Sequence, residues 1–328
     1  MVRKGSGHMS YNHTVKTAKQ INSPSTSETL VLPPRLEVGS WKLEGRRSQI
    51  CQFITLLISN IQSPTSKRRF NQAVPWLYAL AVGGTELLVG LVNVTAGLLL
   101  HFTLLFILLA HAAVLFTRRT KDKTGPDILG YNFYLSLTLV PLIRILSLCM
   151  PLASFSLPYW YLIVGTPLFA AAFLVIRQAG YRAQDIYISR VKNLPLQLAL
   201  GLIGLPLGLI EFYILSPAPL IKTFDLTQIW LPALILLVFT GLAEELIFRG
   251  ILLKSAGEYL KKRTALFYVS FLFAVMHITH LVTLDVFFVF GVALLFALLV
   301  QKTNSLLGVT LAHGLTNITL YLVYPFFL

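Results

Sequence analysis

Charge is scarce in this sequence. Asp, Glu, Lys and Arg make up 12% of its 328 residues against 55% hydrophobic, where a soluble globular chain is nearer one-quarter charged. With a mean hydropathy of +0.73, that shortfall excludes a water-soluble enzyme of ordinary composition. Cysteine is scarcer still. Cys51 falls in a segment expected on the cytoplasmic side and Cys149 inside a predicted helix, so neither a disulfide framework nor a thiolate metal site follows. Acidic residues are also few, 13 against 27 Lys and Arg. In a soluble protein the resulting +14 would raise nucleic acid as a partner. Here most of the cations sit in the tail and in loops between apolar runs, the pattern by which membrane proteins fix their orientation, and no nucleic-acid partner is expected. An apolar h-region is missing near the start, so no signal peptide is expected.

What the chain has is apolar runs long enough to cross a bilayer, about 20 residues per helix. Residues 1–48 are polar and read as a disordered basic cytoplasmic tail. Residues 49–72 combine a short apolar stretch with Arg46, Arg47, Lys67, Arg68 and Arg69 on its flanks, the pattern of an in-plane interfacial helix and linker. N-terminal membrane helices are expected over 73–218, and a core bundle over 228–328. The stretch 74–116 lacks Lys and Arg and predicts a two-helix hairpin turning near Asn93–Gly97. Further spans are expected over 131–153, 158–176, 194–215, 228–250, 264–280, 282–301 and 305–327. That makes nine, an all-α polytopic bundle. Eleven Lys and Arg precede residue 73, clusters of four lie at 118–123, 177–192 and 254–263, and Lys302 follows. This alternation implies an N-in, C-out topology, with only Lys222 on the opposite side. Pro141, Pro167 and Pro206 are candidate kinks.

An ionisable group in hydrocarbon is expensive and is a functional hypothesis by default. Glu86 and Arg144 are positioned to pair across helices, Glu211 to snorkel toward the outer interface, and His101 and His111 to stand isolated, all structural. The remainder crowd into the last hundred residues. Glu245 and Arg249 lie four apart on one helical face and can form an ion pair. Glu244 points about 100° away from Glu245. It is left unpaired in a low-dielectric bundle, an environment suited to proton transfer near neutral pH. Phe273 and His277, and His313 and Asn317, are each spaced i, i+4 and share a face. Counting from the predicted cytoplasmic ends puts Glu244, His277 and His313 roughly 12–20 Å below one face, so they can meet in one layer. His280 and Asp285 fall near the outer helix boundary.

In that order on successive helices, Glu244-Glu245-x-x-x-Arg249, Phe273-x-x-x-His277 and His313-x-x-x-Asn317 resemble the CAAX-protease and bacteriocin-processing family of intramembrane glutamic endopeptidases. Its best-known branch is the type II CAAX prenyl endopeptidase. The resemblance covers about residues 228–328. It implies Glu244 as the general base for water, helped by His277, and an oxyanion hole from His313 and Asn317. It also implies supporting roles for Glu245 and Arg249, and Phe273 as the aromatic beside the site. No metal or cofactor is implied. The expected substrate is a membrane-embedded or membrane-associated protein or peptide. The other expected partners are the bilayer and, at the basic tail, anionic lipid headgroups. The expected location is multi-pass in a membrane, the inner or plasma membrane if the source is bacterial.

A zinc protease is the rival within enzymes. It lacks a His-Glu-x-x-His run and a nameable carboxylate partner for either His. A non-catalytic scaffold or bacteriocin-immunity protein keeping the same fold is the rival outside them. A transporter is disfavoured by the absence of an evident repeat or broken-helix pair.

Overall fold

The computed structural model describes residues 64–118, 125–149, 157–188, 191 and 193–328. The expected tail, the interfacial segment up to residue 63, Cys51 and the headgroup site lie outside them. Every regular element among the described residues is helical. Helices α1 (Pro64–Leu91) and α2 (Val94–Arg118) form the hairpin expected over 74–116. The turn falls at Val92–Asn93, because Asn93 Oδ1 accepts from the Ala96 N–H at 2.8 Å and caps α2. Both arms are long and apolar enough to cross a bilayer, over Ala73–Leu91 and Val94–Arg118.

Five further helices among the described residues meet the same test: α3 (Pro126–Cys149), α4 (Leu157–Ala179, apolar from Pro158), α5 (Leu194–Leu215), α6 (Leu226–Tyr259) and α8 (Thr283–Thr303). The other two expected spans do not meet it. Helix α7 (Lys262–Val275) has 14 residues. Helix α9 (Leu307–Ile318) has 12 and runs on through a π-helical stretch, Thr319–Val323, to the turn Tyr324–Phe327. Seven candidate spans thus stand where nine were expected.

Proline explains the irregularities in α3 and α5. It removes one backbone donor and crowds the carbonyl four residues earlier. The first α-helical segment of α3 ends at Leu137, four before Pro141, and that of α5 at Gly201, five before Pro206. Pro167 lies within an unbroken α4. Asp225 caps α6: its carboxylate accepts from the Thr227 hydroxyl and the Thr227 N–H, both at 2.8 Å, and these bonds hold it below the usual carboxylate range. Helix α6 is 34 residues long, roughly 50 Å at the α-helical rise, so it outruns a hydrocarbon core of about 30 Å. Lys254, expected in a loop, lies on this extension and pairs with Glu258 at 3.0 Å.

Large apolar side chains face outward. Leu100, Phe106 and Val114 of α2, Phe173 and Leu174 of α4, and Phe287 of α8 are exposed. In water such surface would drive aggregation. In a bilayer it is the lipid-facing coat, and the polar groups turn inward instead. Hydropathy and fold together make this an integral, multi-pass membrane protein.

Helix α9 is gripped on two sides. Gln197 of α5 accepts from the Gly308 N–H at 2.7 Å near the start of α9, and the Thr316 hydroxyl bonds to Gly204 O at 3.3 Å. On the other side α6 crosses it where Gly241 meets Gly314. A Cβ on Gly314 would stand 3.0 Å from Leu237 Cα, and one on Gly241 would stand 2.9 Å from Gly314 N. Backbones this close need small residues, the usual device for helix contact in membranes. The crossing sets the separation of the two helices that carry the motif acids and His313. Gly314→Ala is expected to force them apart, destabilising the protein by about 1–3 kcal/mol. Thermal unfolding in detergent, with Gly257→Ala as an unobstructed control, measures it.

Candidate active site

The Glu-Glu pair sits on a helix that is not α-helical on either side of it. Leu236–Leu242 and Leu246–Leu252 are π-helical, with Ala243–Glu245 between them. The expectation of a uniform 100° per residue is corrected by this widening, since π turns close i to i+5 bonds and recur at functional sites. The expected ion pair is nevertheless present: Arg249 Nη1 lies 2.9 Å from Glu245 Oε1 with both side chains buried. The same Oε1 accepts from His313 Nδ1 at 2.8 Å. That leaves Nε2 toward the other acid, 3.9 Å from Glu244 Oε2. Glu245 is therefore the node that joins α6 to α9.

Phe273 stands at the centre of the group. Its ring lies 4.2 Å from the Arg249 guanidinium carbon, 4.9 Å from the His277 ring and 6.0 Å from the His313 ring. Phe248 packs on it edge-on at 4.9 Å. The Arg249 face contact is a cation–π interaction inside a desolvated site.

His277 lies off the helix that was expected to carry it. Helix α7 ends at Val275, and the chain turns through a 3₁₀ segment, Ile278–His280. The turn is closed by His277 N–H to Ala274 O and His280 N–H to His277 O, each 3.0 Å. His277 Nδ1–H donates to Phe273 O at 2.9 Å. That bond fixes the tautomer and leaves Nε2 as the acceptor. Leu281, which follows, holds a left-handed φ of 58°, a conformation that strains a bulky residue.

Arg144 holds this turn from outside. Its Nε donates to Glu86 Oε1 at 2.9 Å, Nη2 forms an ion pair with Oε2 at 2.8 Å, and Nη2 donates to Met276 O at 2.6 Å and Thr279 Oγ1 at 3.3 Å. The expected Glu86–Arg144 pair is thus present, but Arg144 also lines the cavity beside Glu244. His101, expected to be isolated, stands 3.3 Å from Glu86. His111 likewise has partners, the Tyr78 hydroxyl at 3.1 Å and the Tyr134 ring stacked at 3.9 Å.

Two abutting cavities share His277 and Phe273. The larger, about 240 Å³, is lined by Glu244, Arg144, Tyr161, Thr240 and His280. The smaller, about 40 Å³, is lined by Glu245, Arg249, His313, Asn317 and Glu211, and has room for about one water. The structure thus brings all seven motif residues together. Asn317 Nδ2 donates to Thr240 Oγ1 at 2.9 Å, and that hydroxyl donates to Leu236 O. The amide orientation is therefore set, with its second N–H left over.

One expected placement is corrected, and two more residues prove to face inward. Glu211 is buried and lines the smaller cavity instead of snorkelling outward, because α5 packs its polar edge on α9. His280 lines the Glu244 cavity, and fully buried Asp285 holds its Nδ1 at 2.8 Å. Both stand at the boundary between α7 and α8 and face inward, which position along the chain does not reveal. A carboxylate partner also exists for His313, which removes one argument raised against zinc. Thr240 carried no signal in the sequence. Among the described residues no three His, Cys, Asp or Glu side chains are grouped to hold a metal ion.

Fold and site define a multi-pass membrane protein with acids and imidazoles converging in its interior. Residues 226–319 match the family model described as Rce1-like, Type II CAAX prenyl endopeptidase Rce1-like. The match spans all three motifs and agrees with the resemblance they carry, and residues 1–225 and 320–328 lie outside it. None of the curated proteins and none of the solved structures gives a match.

Arg144→Met would leave Glu86 a buried carboxylate without its guanidinium. The expected loss is about 3–5 kcal/mol. Adding Glu86→Leu should restore part of it, as a double-mutant cycle of melting temperatures would show.

Proposed function

We propose that this CAAX-type membrane protease is a metal-independent glutamic endopeptidase. Glu244 would activate water against a peptide carbonyl, and His313 and Asn317 would receive the oxyanion. The observation that carries the reading is the division of labour between adjacent acids. Glu245 is engaged by Arg249 and His313, while Glu244 faces the larger cavity, 30% exposed and with its nearest cation partner 3.9 Å away. A base must be free to take a proton, and of the two acids Glu244 is the one without a close cation.

Water enters the cavity between Glu244 and His277. The neutral His277 presents Nε2, which can accept from the attacking water and orient it. Glu244 takes the proton as oxygen adds to the carbonyl carbon. The developing oxyanion needs preorganised donors. The spare Asn317 N–H supplies one. His313 supplies the other through Nε2, which requires both ring protons because Nδ1–H is held by Glu245. The two flanking carboxylates match that charge. Glu245 and Arg249 act by positioning His313. The donor set favours this chemistry over zinc, since His313 Nδ1 is committed to Glu245 and, among the described residues, the three-ligand grouping of a catalytic zinc site is not assembled.

The same reading places the cavity toward the cytoplasm, with the N-terminus inside, and gives it a membrane-associated protein or peptide as substrate. The core bundle over 228–328 would hold the chemistry and the helices before it would shape access.

Glu244→Gln should abolish hydrolysis of a quenched membrane peptide while leaving the melting temperature unchanged. Near-wild-type turnover by the purified variant would end the assignment. Glu245→Gln should harm stability at least as much as rate, because it leaves Arg249 a buried charge without its partner. A Glu245→Gln protein that melts normally yet is inactive would reverse the two roles.

A further inference from the structure

The turn after α7 presents two imidazoles to one cavity, and they differ in what holds them. His277 gives its Nδ1–H to a backbone carbonyl, Phe273 O at 2.9 Å. A carbonyl is a neutral acceptor and cannot match an imidazolium charge. His280 gives its Nδ1–H to Asp285 Oδ2 at 2.8 Å. Asp285 is fully buried, its Oδ1 has no hydrogen-bond partner, and the His280 side chain is 35% exposed. The two rings stand edge-on, centroids 5.4 Å apart, and both line the 240 Å³ cavity with Glu244. One ring is therefore backed by a neutral carbonyl, and the other by a carboxylate that can match a positive charge on it. The other charged groups facing this space are Glu244 from α6 and Arg144 from α3.

Peptide hydrolysis needs that second function. An amine anion is too poor a leaving group to depart unassisted, so nitrogen must be protonated as the C–N bond breaks. We propose that His280 relays the proton to the leaving amine, with Asp285 as its positioning residue, an inference that rests on the glutamic-protease reading above. Glu244 removes a proton from water as the C–O bond forms. His280 Nε2 takes a proton from protonated Glu244 through water in the shared cavity, and Asp285 matches the imidazolium charge. As the C–N bond breaks, Nε2–H passes to nitrogen. The carboxyl product and amine leave, and Glu244 and His280 return to their starting states, so no oxidant or co-reactant is required. Arg144, by holding Met276 O and Thr279 Oγ1, keeps the turn that carries both rings in place.

The test is leaving-group dependence in the purified full-length protein. A quenched peptide is compared with an aryl ester of the same acyl portion, whose phenolate departs without a proton. His280→Gln is expected to lower kcat on the peptide about 100-fold or more and on the ester about threefold or less, the ester figure being what a loss confined to the proton-donation step leaves. Asp285→Asn, which keeps the hydrogen bond but not the charge, should show the same split in smaller measure and serves if His280→Gln does not fold. Equal losses on both substrates, or no loss on the peptide, would overturn the relay. Glu244→Gln, run in parallel, should silence both substrates. Peptide hydrolysis surviving that change would sink the underlying protease reading, whereas Glu244-dependent hydrolysis with no split at His280 sinks the relay alone.

Discussion

One carboxylate oxygen organises the interior. Glu245 Oε1 accepts from Arg249 on its own helix and from His313 on α9. All three side chains are held away from water, where an unmatched charge is severely penalised. Remove Glu245 and the two donors it holds are left with positive charge the bilayer cannot match. The triad therefore binds α6 to α9 more specifically than apolar packing could, since lipid competes with Leu for Leu but not with arginine for carboxylate. The Gly241–Gly314 crossing makes the reach possible by letting the two backbones touch.

A second ionic cluster does for the N-terminal helices what the first does for the core. Glu86 on α1, His101 on α2 and Arg144 on α3 meet in the interior, and the guanidinium extends to the turn after α7. Three helices outside the matched domain are thus tied to the segment presenting His277 and His280. The generic-looking part of the chain is mechanically part of the site. The strained φ of Leu281 and the 3₁₀ geometry before it are held by that grip. The π-helical stretches around Glu244 and Glu245 are a further departure from regularity concentrated where the acids lie.

Much of this was legible from residue spacing. The Glu245–Arg249 pair, the Glu86–Arg144 pair, the hairpin over 74–116 and the convergence of Glu244, His277 and His313 follow from helical periodicity and from the penalty on charge in hydrocarbon. His280, Asp285 and Glu211 were visible as ionisable residues, but the cavities they face were not. The reason is specific. Facing was read from straight α-helices, whereas α7 stops at Val275 and turns before His280, and α6 is π-helical through the motif. Thr240 could not be found at all, because a threonine that bonds backward to its own helix looks ordinary until Asn317 arrives 77 residues later in the chain.

Composition and pattern by themselves determined that this chain lives in a bilayer as helices, and which few residues it places there at high energetic cost. Those outcomes depend on neighbours along the chain and on the solvent, and both are local properties. Which imidazole receives a carboxylate and which a carbonyl was decided only by the tertiary structure. So was the fact that Glu245 is occupied while Glu244 is free, and that an arginine on α3 holds a turn after α7. Such pairings depend on helix crossings, early terminations and π turns. An ångström of backbone displacement there redirects a hydrogen bond, and no periodicity in one segment encodes the approach of another.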